Sequence, residues 1–357
     1  MKRIGVLGGT GEIGKRTVDI LKKEYPLIAS YYSRFQKSSE NCEFTRVDIS
    51  NTDEVRQFCG QCDILVNCGG ASYLNGEKVA RIASQLHIPY VDPSGEAFLE
   101  TKLSDMAEDN VFILSSGYFP GMSGLLMRHI CESFDVPEKI SGLSVSEELP
   151  SQSAIEDFIL TNLSGFGAAL SYYDNGHLSK DARERFEIIR NKGYRFQNYL
   201  TVETERIARK YALQKANWYN ASFGEEIIGK LQEAVIRLKR GGDGYREIVR
   251  QVIEIFRKNL KDRPGFTYIR IEGQGLSGGK RLVRKAEMTS DCSSEISAII
   301  AAYTVKSLLC SPMKNGIYYA MDIISSEALI REMDGLNARL AICETQERSE
   351  ECEEGEI

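Results

Sequence analysis

Short apolar runs alternate with stretches of helical spacing over the first third of the chain. The apolar runs that read as strands are RIGVLGG, LIASYYSR, DILVNCGG and VFILSSG. Between them, residues 14–23, 52–59 and 76–86 place apolar side chains at the spacing of a helix. Strands connected through helices form right-handed crossovers in a parallel sheet. Residues 2–120 are therefore predicted to form a doubly wound α/β domain.

The pattern changes after Pro120. The run ISGLSVSEEL is strand-like, and FTYIRIEGQGLSGGKRLVRKAEM predicts two antiparallel strands joined by a glycine turn. The charged region from about residue 180 to residue 261 is predicted to be mostly helical. The expected fold class is therefore α/β, with a second domain of α+β type that follows the parallel sheet.

The predicted organisation has four parts. Apolar helices are expected at residues 294–309 and 322–333, whereas the acidic ending ETQERSEECEEGEI lacks core residues and is expected to be disordered. The predicted boundaries are residues 1–121 for the parallel-sheet domain, 122–311 for an α+β substrate and dimerisation domain, 312–343 for helices that pack back on the first domain, and 344–357 for the tail.

Composition places the chain among ordinary globular proteins and argues against several classes of function. Of its 357 residues, 42% are hydrophobic and 27% are charged, and the net charge of −6 offers no basic face for nucleic acid. No run of about 18 apolar residues exists, so no membrane span is expected. The chain enters a strand directly without a signal-peptide pattern, and its nine scattered cysteines make a poor disulfide framework, so a cytoplasmic location is expected. His87, His129 and His177 are dispersed, and no metal site is predicted.

A glycine-rich loop follows the first predicted strand. It consists of Gly8, Gly9, Thr10, Gly11, Glu12, Ile13 and Gly14. From Gly9 onward the spacing is G-x-G-x-x-G between a strand and a helix, which is the context in which this motif binds a dinucleotide. Glycine lets the backbone approach the pyrophosphate, and the helix N-terminus supplies N–H groups and partial positive charge. The first domain is therefore predicted to be a Rossmann domain.

The end of the second predicted strand indicates which dinucleotide binds. NAD sites usually place an acid there for the ribose hydroxyls, whereas an arginine suits the 2′-phosphate of NADP. Here Ser33 and Arg34 follow two tyrosines, and no acid occurs before Glu40. NADP(H) is therefore the predicted cofactor. Further cofactor contacts are expected from Asp48, Cys68, Gly69 and Gly70.

Five motifs in order carry a resemblance to a known family. They are GGTGEIG, VDISNTDEV, DILVNCGG, IPYVDPSGE and SSGYFPGMSG. In this order they resemble the saccharopine dehydrogenase family, which includes saccharopine reductases, lysine dehydrogenases and carboxynorspermidine dehydrogenases. In that family the last Rossmann strand ends in a Gly-x-x-Pro-Gly turn, which Gly117, Pro120, Gly121 and Ser123 match. The segment Asn315-Gly316-Ile317-Tyr318 is similar to the family's returning segment.

The resemblance implies an NADPH-dependent enzyme, in the form of a homodimer, that transfers hydride to or from a carbon bonded to nitrogen. Substrate contacts are expected from Ser94, Gly121 and Ser123, because the turn lies where ligands bind in such sheets. Imine reduction also needs a proton donor near the nitrogen. The candidates are Asp92, Glu96 and Tyr118, with Glu147 and Glu148 as weaker ones. A buried carboxyl that stays protonated at neutral pH suits this role.

Departures from the family pattern leave the substrate open. Phe119 stands where saccharopine reductases carry an acid, and Gly124 stands where an asparagine is frequent. Aromatic residues of the middle region are candidates for a larger apolar pocket: Phe166, Tyr172, Tyr173, Trp218, Tyr219 and Phe223. One alternative is therefore a thiazoline or thiazolinyl imine reductase that tailors a carrier-protein-bound nonribosomal peptide or siderophore intermediate. Another is a non-catalytic NADP(H)-binding sensor. The pair Tyr211 and Lys215 has the spacing of short-chain dehydrogenases but lies outside the predicted parallel sheet.

Overall fold

The computed structural model describes residues 2–161, 167–240, 244–261, 263–333 and 338–346. In the first half of the chain, strands and helices alternate as predicted. The strands are β1 (Ile4–Leu7), β2 (Leu27–Tyr31), β3 (Cys42–Arg46), β4 (Ile64–Asn67), β5 (Tyr90–Val91) and β6 (Val111–Leu114). The helices are α1 (Glu12–Leu21), α2 (Thr52–Cys59), α3 (Ser72–Gln85), α4 (Ala97–Leu103) and α5 (Met122–Glu132). Helix α4 is an addition to the elements that the sequence pattern predicted.

The middle of the chain holds β7 (Val136–Glu147), α6 (Gln152–Thr161), β8 (Gly167–Ala169), β9 (Ser171–Asp174), β10 (His177–Lys180), β11 (Arg185–Ile189), β12 (Lys192–Thr201), α7 (Val202–Lys210), β13 (Lys215–Ala221), α8 (Glu225–Lys239) and α9 (Tyr245–Leu260). The last part holds β14 (Phe266–Ser277), β15 (Lys280–Ser290), α10 (Ser293–Cys310), β16 (Gly316–Tyr319), α11 (Ala320–Ile323), α12 (Ser326–Met333) and β17 (Ala338–Gln346).

Two sheets organise the molecule. Within the described residues, the first sheet has seven parallel strands in the order β16-β6-β5-β4-β1-β2-β3, which contains the Rossmann order 3-2-1-4-5-6. The second sheet has the path β10-β9-β13-β7-β14-β15-β17, and β12 joins it through β13. Its pairs are antiparallel except for β13 with β7. The predicted hairpin is the pair β14–β15.

The prediction that residues 180–261 are mostly helical is wrong for their first half. This part contains the hairpin β11–β12 and strand β13. Along β12 the buried side chains alternate with exposed ones, with Tyr194, Phe196, Asn198 and Leu200 facing inward. The outward face carries charged and polar residues such as Arg195 and Gln197. The high charge of this region therefore marks the solvent face of a strand. The sequence pattern had predicted a charged helix instead.

The end of the chain also differs from expectation. Residues 338–346 form a strand paired with β15, so the prediction of helices up to residue 343 and of a tail from residue 344 is wrong for this stretch. Strand β16 extends the first sheet beside β6, and helices α11 and α12 pack against α5. Residues 347–357, the rest of the predicted tail, lie outside the described residues, as does Phe166.

Helices α5 and α10 join the two sheets into one core. Buried side chains of β1 and β4, of both helices, and of β7, β13 and β14 belong to one continuous apolar cluster. Ile296, Ile299 and Ile300 of α10 are almost fully buried in it. Burial of each of these side chains contributes about 1.5–3 kcal/mol. Helices α2, α3 and α4 cover the other face of the first sheet with a second cluster. Helices α5 and α10 therefore fix how the second sheet stands over the first.

Candidate active site

The glycine loop makes a turn in which a side chain at Gly8 or Gly14 would collide with backbone atoms. Gly8 has φ of 77°, and a Cβ there would lie closer than 3.0 Å to the carbonyl oxygen of Cys68. A Cβ on Gly14 would come equally close to the carbonyl oxygen of Gly8. The Gly8 N–H donates to the Ser30 hydroxyl at 2.7 Å, which ties the loop to β2. The backbone is thus held tight against the ends of β1 and β4.

Helix α1 starts directly after this turn. Gly11 is its N-cap, and no side chain of the described residues caps the first turn. The Glu12 carboxylate accepts hydrogen bonds from Arg16 and Lys15, and these bonds lower its pKa. Thr10, Gly11 and Ile13 are half-buried along the loop. The N–H groups of the helix N-terminus therefore remain available for an anion.

A cavity of about 380 Å³ lies beside the loop. Its lining includes Gly9 and Thr10 and four basic side chains: Lys15, Lys22, Arg34 and Lys37. Lys15 pairs with Glu12 and Lys22 with Asp19, whereas Arg34 and Lys37 form no ion pair with any described residue. Ser33 is exposed next to Arg34 but does not line the cavity. Lys37 was not identified from the sequence, where Ser33 and Arg34 were the candidates for a phosphate contact.

The turn after β4 lies against the glycine loop. Cys68 donates its N–H to the Leu7 carbonyl at 2.9 Å, and burial raises the pKa of its thiol to about 12. A Cβ on Gly69 would lie 2.8 Å from Cδ1 of Ile49, and Gly70 has φ of 72°. Asp48, one residue before Ile49, is near the surface, where hydrogen bonds from Ser50 lower the pKa of its carboxyl. The structure therefore brings Cys68, Gly69 and the glycine loop together.

Asp92 is fully buried after β5 and is saturated with hydrogen bonds. Its Oδ2 accepts from the Tyr90 hydroxyl at 2.5 Å and from the Ser72 hydroxyl at 2.8 Å. Its Oδ1 accepts from the Ser94 N–H at 2.9 Å and the Gly95 N–H at 2.8 Å. Burial raises its pKa even though all four bonds oppose the change. This carboxyl shapes the 92–95 loop, and Ser94 is held half-buried at its rim.

The Pro-Gly turn after β6 is fixed by contacts with both halves of the molecule. Gly121 has φ of 130°, and a Cβ there would collide with the backbone of Gly117. Tyr118 donates its N–H to the Ser297 hydroxyl at 3.0 Å, and its own hydroxyl accepts from Thr267 of β14. Burial raises the pKa of Tyr118. The Tyr118 hydroxyl therefore joins the turn to the second sheet.

Ser123 contacts a carboxyl that the sequence reasoning did not identify. Its hydroxyl donates to Glu203 Oε2 of α7 at 2.5 Å, and both residues are fully buried. Burial raises the pKa of Glu203 to about 7, although Ser123 and the backbone of Gly121 and Gly124 oppose the rise. Oε1 of Glu203 has no hydrogen-bond partner among the described residues. The second domain thus places a buried acid at the start of α5.

Glu96 is the carboxyl at this edge of the first sheet without a hydrogen-bond partner in the described part of the chain. It occupies the N-cap position of α4 without a capping hydrogen bond from its side chain, and it is 2% exposed. Burial raises its pKa well above the usual range, and the negative charges of Glu203 and Glu100 raise it further. Unlike Asp92 and Tyr118, Glu96 has a side chain free to hold and release a proton.

The remaining candidates are engaged elsewhere. Glu147 pairs with Lys192, and Glu148 accepts the Ser293 N–H at 3.0 Å at the start of α10. The Tyr211 hydroxyl donates to Glu132 at 3.0 Å, and the Lys215 ammonium lies 4.7 Å from the centre of another ring, that of Tyr172. No group of three or more potential metal ligands occurs among the residues described, and none of the helices described there is long and apolar enough to cross a membrane.

Two of the aromatic residues considered for a substrate pocket, Trp218 and Tyr173, serve the core. Trp218 is fully buried and Tyr173 is 6% exposed. Phe119 stacks on Trp218 with ring centres 5.0 Å apart and keeps 37% of its surface exposed. Phe223 is also 37% exposed and meets Phe158 edge to face at 5.7 Å. Exposed aromatic surface is therefore present at Phe119, inside the Pro-Gly turn.

Asp157 connects α6 of the second domain to the start of α3. Its two carboxylate oxygens accept the N–H groups of Ser72 at 3.2 Å and Tyr73 at 3.0 Å. Burial raises the pKa of Asp157 from 3.8 to about 7, against the effect of these two bonds. A carboxyl of the second domain therefore binds the backbone N–H groups at the N-terminus of α3.

The pH dependence of stability should report on Asp157. Because its folded pKa lies above its unfolded value, the native state binds more protons between about pH 4 and pH 7, and its contribution to stability falls as pH rises through that window. Asp157→Asn is therefore expected to lose less stability than the wild type between about pH 4 and pH 7. Urea unfolding at each pH measures the difference, and parallel curves would contradict the assignment.

Comparisons with known proteins place the fold. Residues 4–87 match the family model of the NAD dependent epimerase/dehydratase family, and a comparison with curated proteins found no match. Apo saccharopine dehydrogenase (L-Glu forming) from Saccharomyces cerevisiae matches over 97% of this chain and 100% of its own, with 11% identity and a TM-score of 0.62. The chain has the fold of saccharopine dehydrogenase. The predicted fold class and the resemblance seen in the five motifs are therefore confirmed at the level of the fold.

Two further solved structures match less closely. DAP dehydrogenase of C. glutamicum, in complex with DAP, aligns over 94% of this chain and 98% of its own, with 11% identity and a TM-score of 0.47. Uronate dehydrogenase from Agrobacterium tumefaciens aligns over 27% of this chain and 41% of its own, with 22% identity and a TM-score of 0.25.

Proposed function

We propose that this protein is an NADP(H)-dependent oxidoreductase that acts on a carbon–nitrogen bond. The observation that carries the proposal is Glu96, a buried carboxyl without a partner among the described residues, at the carboxyl edge of the sheet that carries the glycine loop. Ligands of open α/β sheets bind at this edge. The fold shared with saccharopine dehydrogenase supports the same reaction class.

The loop residues fit a dinucleotide. The close approaches at Gly8 and Gly14 make a cradle that a Cβ would fill, and the first turn of α1 is uncapped by any described side chain. Gly8, Gly9, Gly11 and Gly14 would let the pyrophosphate come near the backbone, with Thr10, Glu12 and Ile13 presenting N–H groups. When bound, the nicotinamide would supply or accept the hydride. Cys68, Gly69 and Gly70 would border the cofactor on the β4 side.

The cavity beside the loop favours NADP(H) over NAD(H). Arg34 and Lys37 line it without a partner among the described residues, and its acidic lining residue, Asp19, is occupied by Lys22. A doubly charged 2′-phosphate would neutralise both cations, whereas the ribose hydroxyls of NAD would leave them unpaired. Lys37 therefore joins Arg34 as a residue expected to select the cofactor.

Arg34→Ala and Lys37→Ala should each lower NADPH affinity and leave NADH affinity nearly unchanged. Hydrogen bonds to charged groups contribute about 1.5–3 kcal/mol, which corresponds to roughly 10- to 150-fold per contact. Fluorescence titration with both nucleotides measures the effect. Lys23→Ala is the control, because Lys23 is exposed nearby but lies outside the cavity lining. An equal loss of affinity for NADPH and NADH would exclude a 2′-phosphate contact.

A thiazoline or similar apolar C=N substrate is the second candidate within this reaction class. The observation that favours it is Phe119, which is stacked on Trp218 and partly exposed inside the Pro-Gly turn. An aromatic face suits an apolar heterocycle better than the charged end of an amino acid. Comparing NADPH oxidation with thiazolines and with 2-oxo acids plus amino acids tests this choice. Turnover only with the amino-acid pair would exclude the apolar substrate.

A further inference from the structure

Helices α6, α8 and α9 form a three-helix unit with a core of its own. Helices α8 and α9 pack on each other and on α6, and α6 packs on α3 of the first domain. The buried apolar side chains of the unit make a cluster that is separate from the two clusters covering the first sheet. Ile159 of α6, Ala234 of α8 and Val252 of α9 are fully buried in it. The unit therefore has an independent core, and α6 joins it to the first domain.

Asp157 of α6 makes the polar part of this junction at the N-terminus of α3. The N-cap residue of α3, Ala71, provides no side-chain hydrogen bond to the first turn. The carboxylate of Asp157 accepts the N–H groups of Ser72 at 3.2 Å and of Tyr73 at 3.0 Å instead. A carboxylate is favourable at this position, because the first N–H groups of a helix lack partners within it and carry partial positive charge. Asp157 therefore caps a helix that belongs to the other domain.

Tyr73 makes the apolar part of the same junction. Its side chain packs against the cluster of the three-helix unit and also against the cluster of α2, α3 and α4. The centre of its ring lies 5.2 Å from that of Phe98 in α4. The backbone of Tyr73 thus binds Asp157 while its ring contacts both cores, so polar and apolar contacts between the two bodies coincide at one residue.

The junction lies at the carboxyl edge of the first sheet. Ser72 comes shortly after Gly69 and Gly70, which follow the end of β4. Its hydroxyl donates to Asp92, which follows β5, at 2.8 Å. Ligands of open α/β sheets bind beyond this edge. The three-helix unit therefore borders the edge where β4 and β5 end.

We propose that the three-helix unit is a lid that opens as one body beside β4 and β5, and that Asp157 is the clamp that holds it closed. The three helices have 10, 15 and 16 residues, and so small a core opens at a lower free energy than the whole domain. Asp157 is half-buried, so water replaces the two N–H groups when the clamp breaks. The lid would serve any ligand that binds at this edge, so it does not depend on the reaction proposed above.

Native-state hydrogen exchange of the full-length wild type, followed by mass spectrometry at low urea concentrations, tests the lid. The buried amides of α6, α8 and α9 should share one rate and one urea dependence, because the three helices open together. This rate should exceed that of β1 and β4 by roughly 10-fold or more, as expected for an opening below global unfolding. Exchange of the three helices at the same rate as β1 and β4 would overturn the proposal.

Asp157→Ala tests the clamp. It should speed exchange in all three helices by about 5- to 30-fold, the effect of losing a helix cap, and leave β1 and β4 unchanged. Asp157→Asn should give a smaller increase, because its side-chain oxygen can still accept an N–H group. Helix α9 is the decisive segment. It packs on α6 and α8, so a local change at the start of α3 would not reach it.

Glu156→Gln is the matched control for both variants. Glu156 is the preceding residue of α6, and its side chain accepts from Gln152 at 2.9 Å. This variant should keep wild-type exchange in all three helices. Faster exchange of Asp157→Ala confined to the start of α3, or an equal increase in every strand, would overturn the proposal. Because no nucleotide or substrate is used, failure of the lid and failure of the proposed function are distinguishable.

Discussion

Glu96→Gln should lower kcat for C=N reduction by roughly 10²- to 10⁴-fold and leave NADPH affinity unchanged. Glutamine fills the same space but has no acidic proton to give to the nitrogen. Glu96 is buried without a partner among the described residues, so the substitution removes a proton without breaking a hydrogen bond there. Steady-state kinetics with NADPH and an imine substrate, together with nucleotide titration, measure both quantities.

The control for this variant is Glu108→Gln, at an exposed position well outside the site. It should keep the wild-type rate. Tyr118→Phe is the informative comparison. The Tyr118 hydroxyl accepts a hydrogen bond from Thr267, so its expected role is structural. If Glu96→Gln keeps full activity while Tyr118→Phe loses it, the proton donor has been assigned to the wrong residue.

Gly14→Ala should weaken NADPH binding by about 1–3 kcal/mol, or roughly 5- to 150-fold. The new methyl group would lie closer than 3.0 Å to the carbonyl oxygen and the carbonyl carbon of Gly8, and both of these Gly8 atoms belong to the loop backbone. Relief of this overlap requires the start of α1 to move away from the turn. The N–H groups that would face the pyrophosphate move with it, so affinity falls for NADPH and NADH alike.

Gly229→Ala is the matched control for Gly14→Ala. Gly229 lies inside α8, and a Cβ there would meet no atom within 4 Å. Alanine in a helix interior should raise the free energy of unfolding by about 0.5–1 kcal/mol and leave nucleotide binding unchanged. Nucleotide titration and urea unfolding separate the two variants. Wild-type affinity in Gly14→Ala would mean that the loop does not bind the pyrophosphate.

Local sequence pattern was sufficient to predict the first sheet. Helix α2 has the predicted bounds, Thr52–Cys59, because Asn51 caps it through two backbone N–H groups. The strands β1, β4 and β6 are continuous apolar runs, as parallel strands buried on both faces are. The hairpin β11–β12 was missed because its charged residues were interpreted as part of a charged helical region, whereas along β12 they lie on the solvent face and alternate with buried residues.

The candidate site was predictable only where its residues are close in sequence. The glycine loop and the Pro-Gly turn are local features, and the spacing of their glycines predicts the backbone conformation of each. Glu203 is different because its partner, Ser123, lies 80 residues earlier in the chain. An acid in the first turn of a helix capped by Thr201 is ordinary in itself. Its burial and its neighbours follow from the packing of α7 on α5, which no local pattern specifies.

The most direct test of the proposed function is deuterium transfer from NADPH labelled at C4 of the nicotinamide. The purified protein would be incubated with labelled NADPH and a panel of cyclic imines, thiazolines, and amines with 2-oxo acids. The proposed function predicts a product that carries deuterium on the carbon bonded to nitrogen, together with one equivalent of oxidised cofactor. Tight NADPH binding without deuterium transfer to any C=N carbon would contradict it and would indicate a non-catalytic NADP(H)-binding protein.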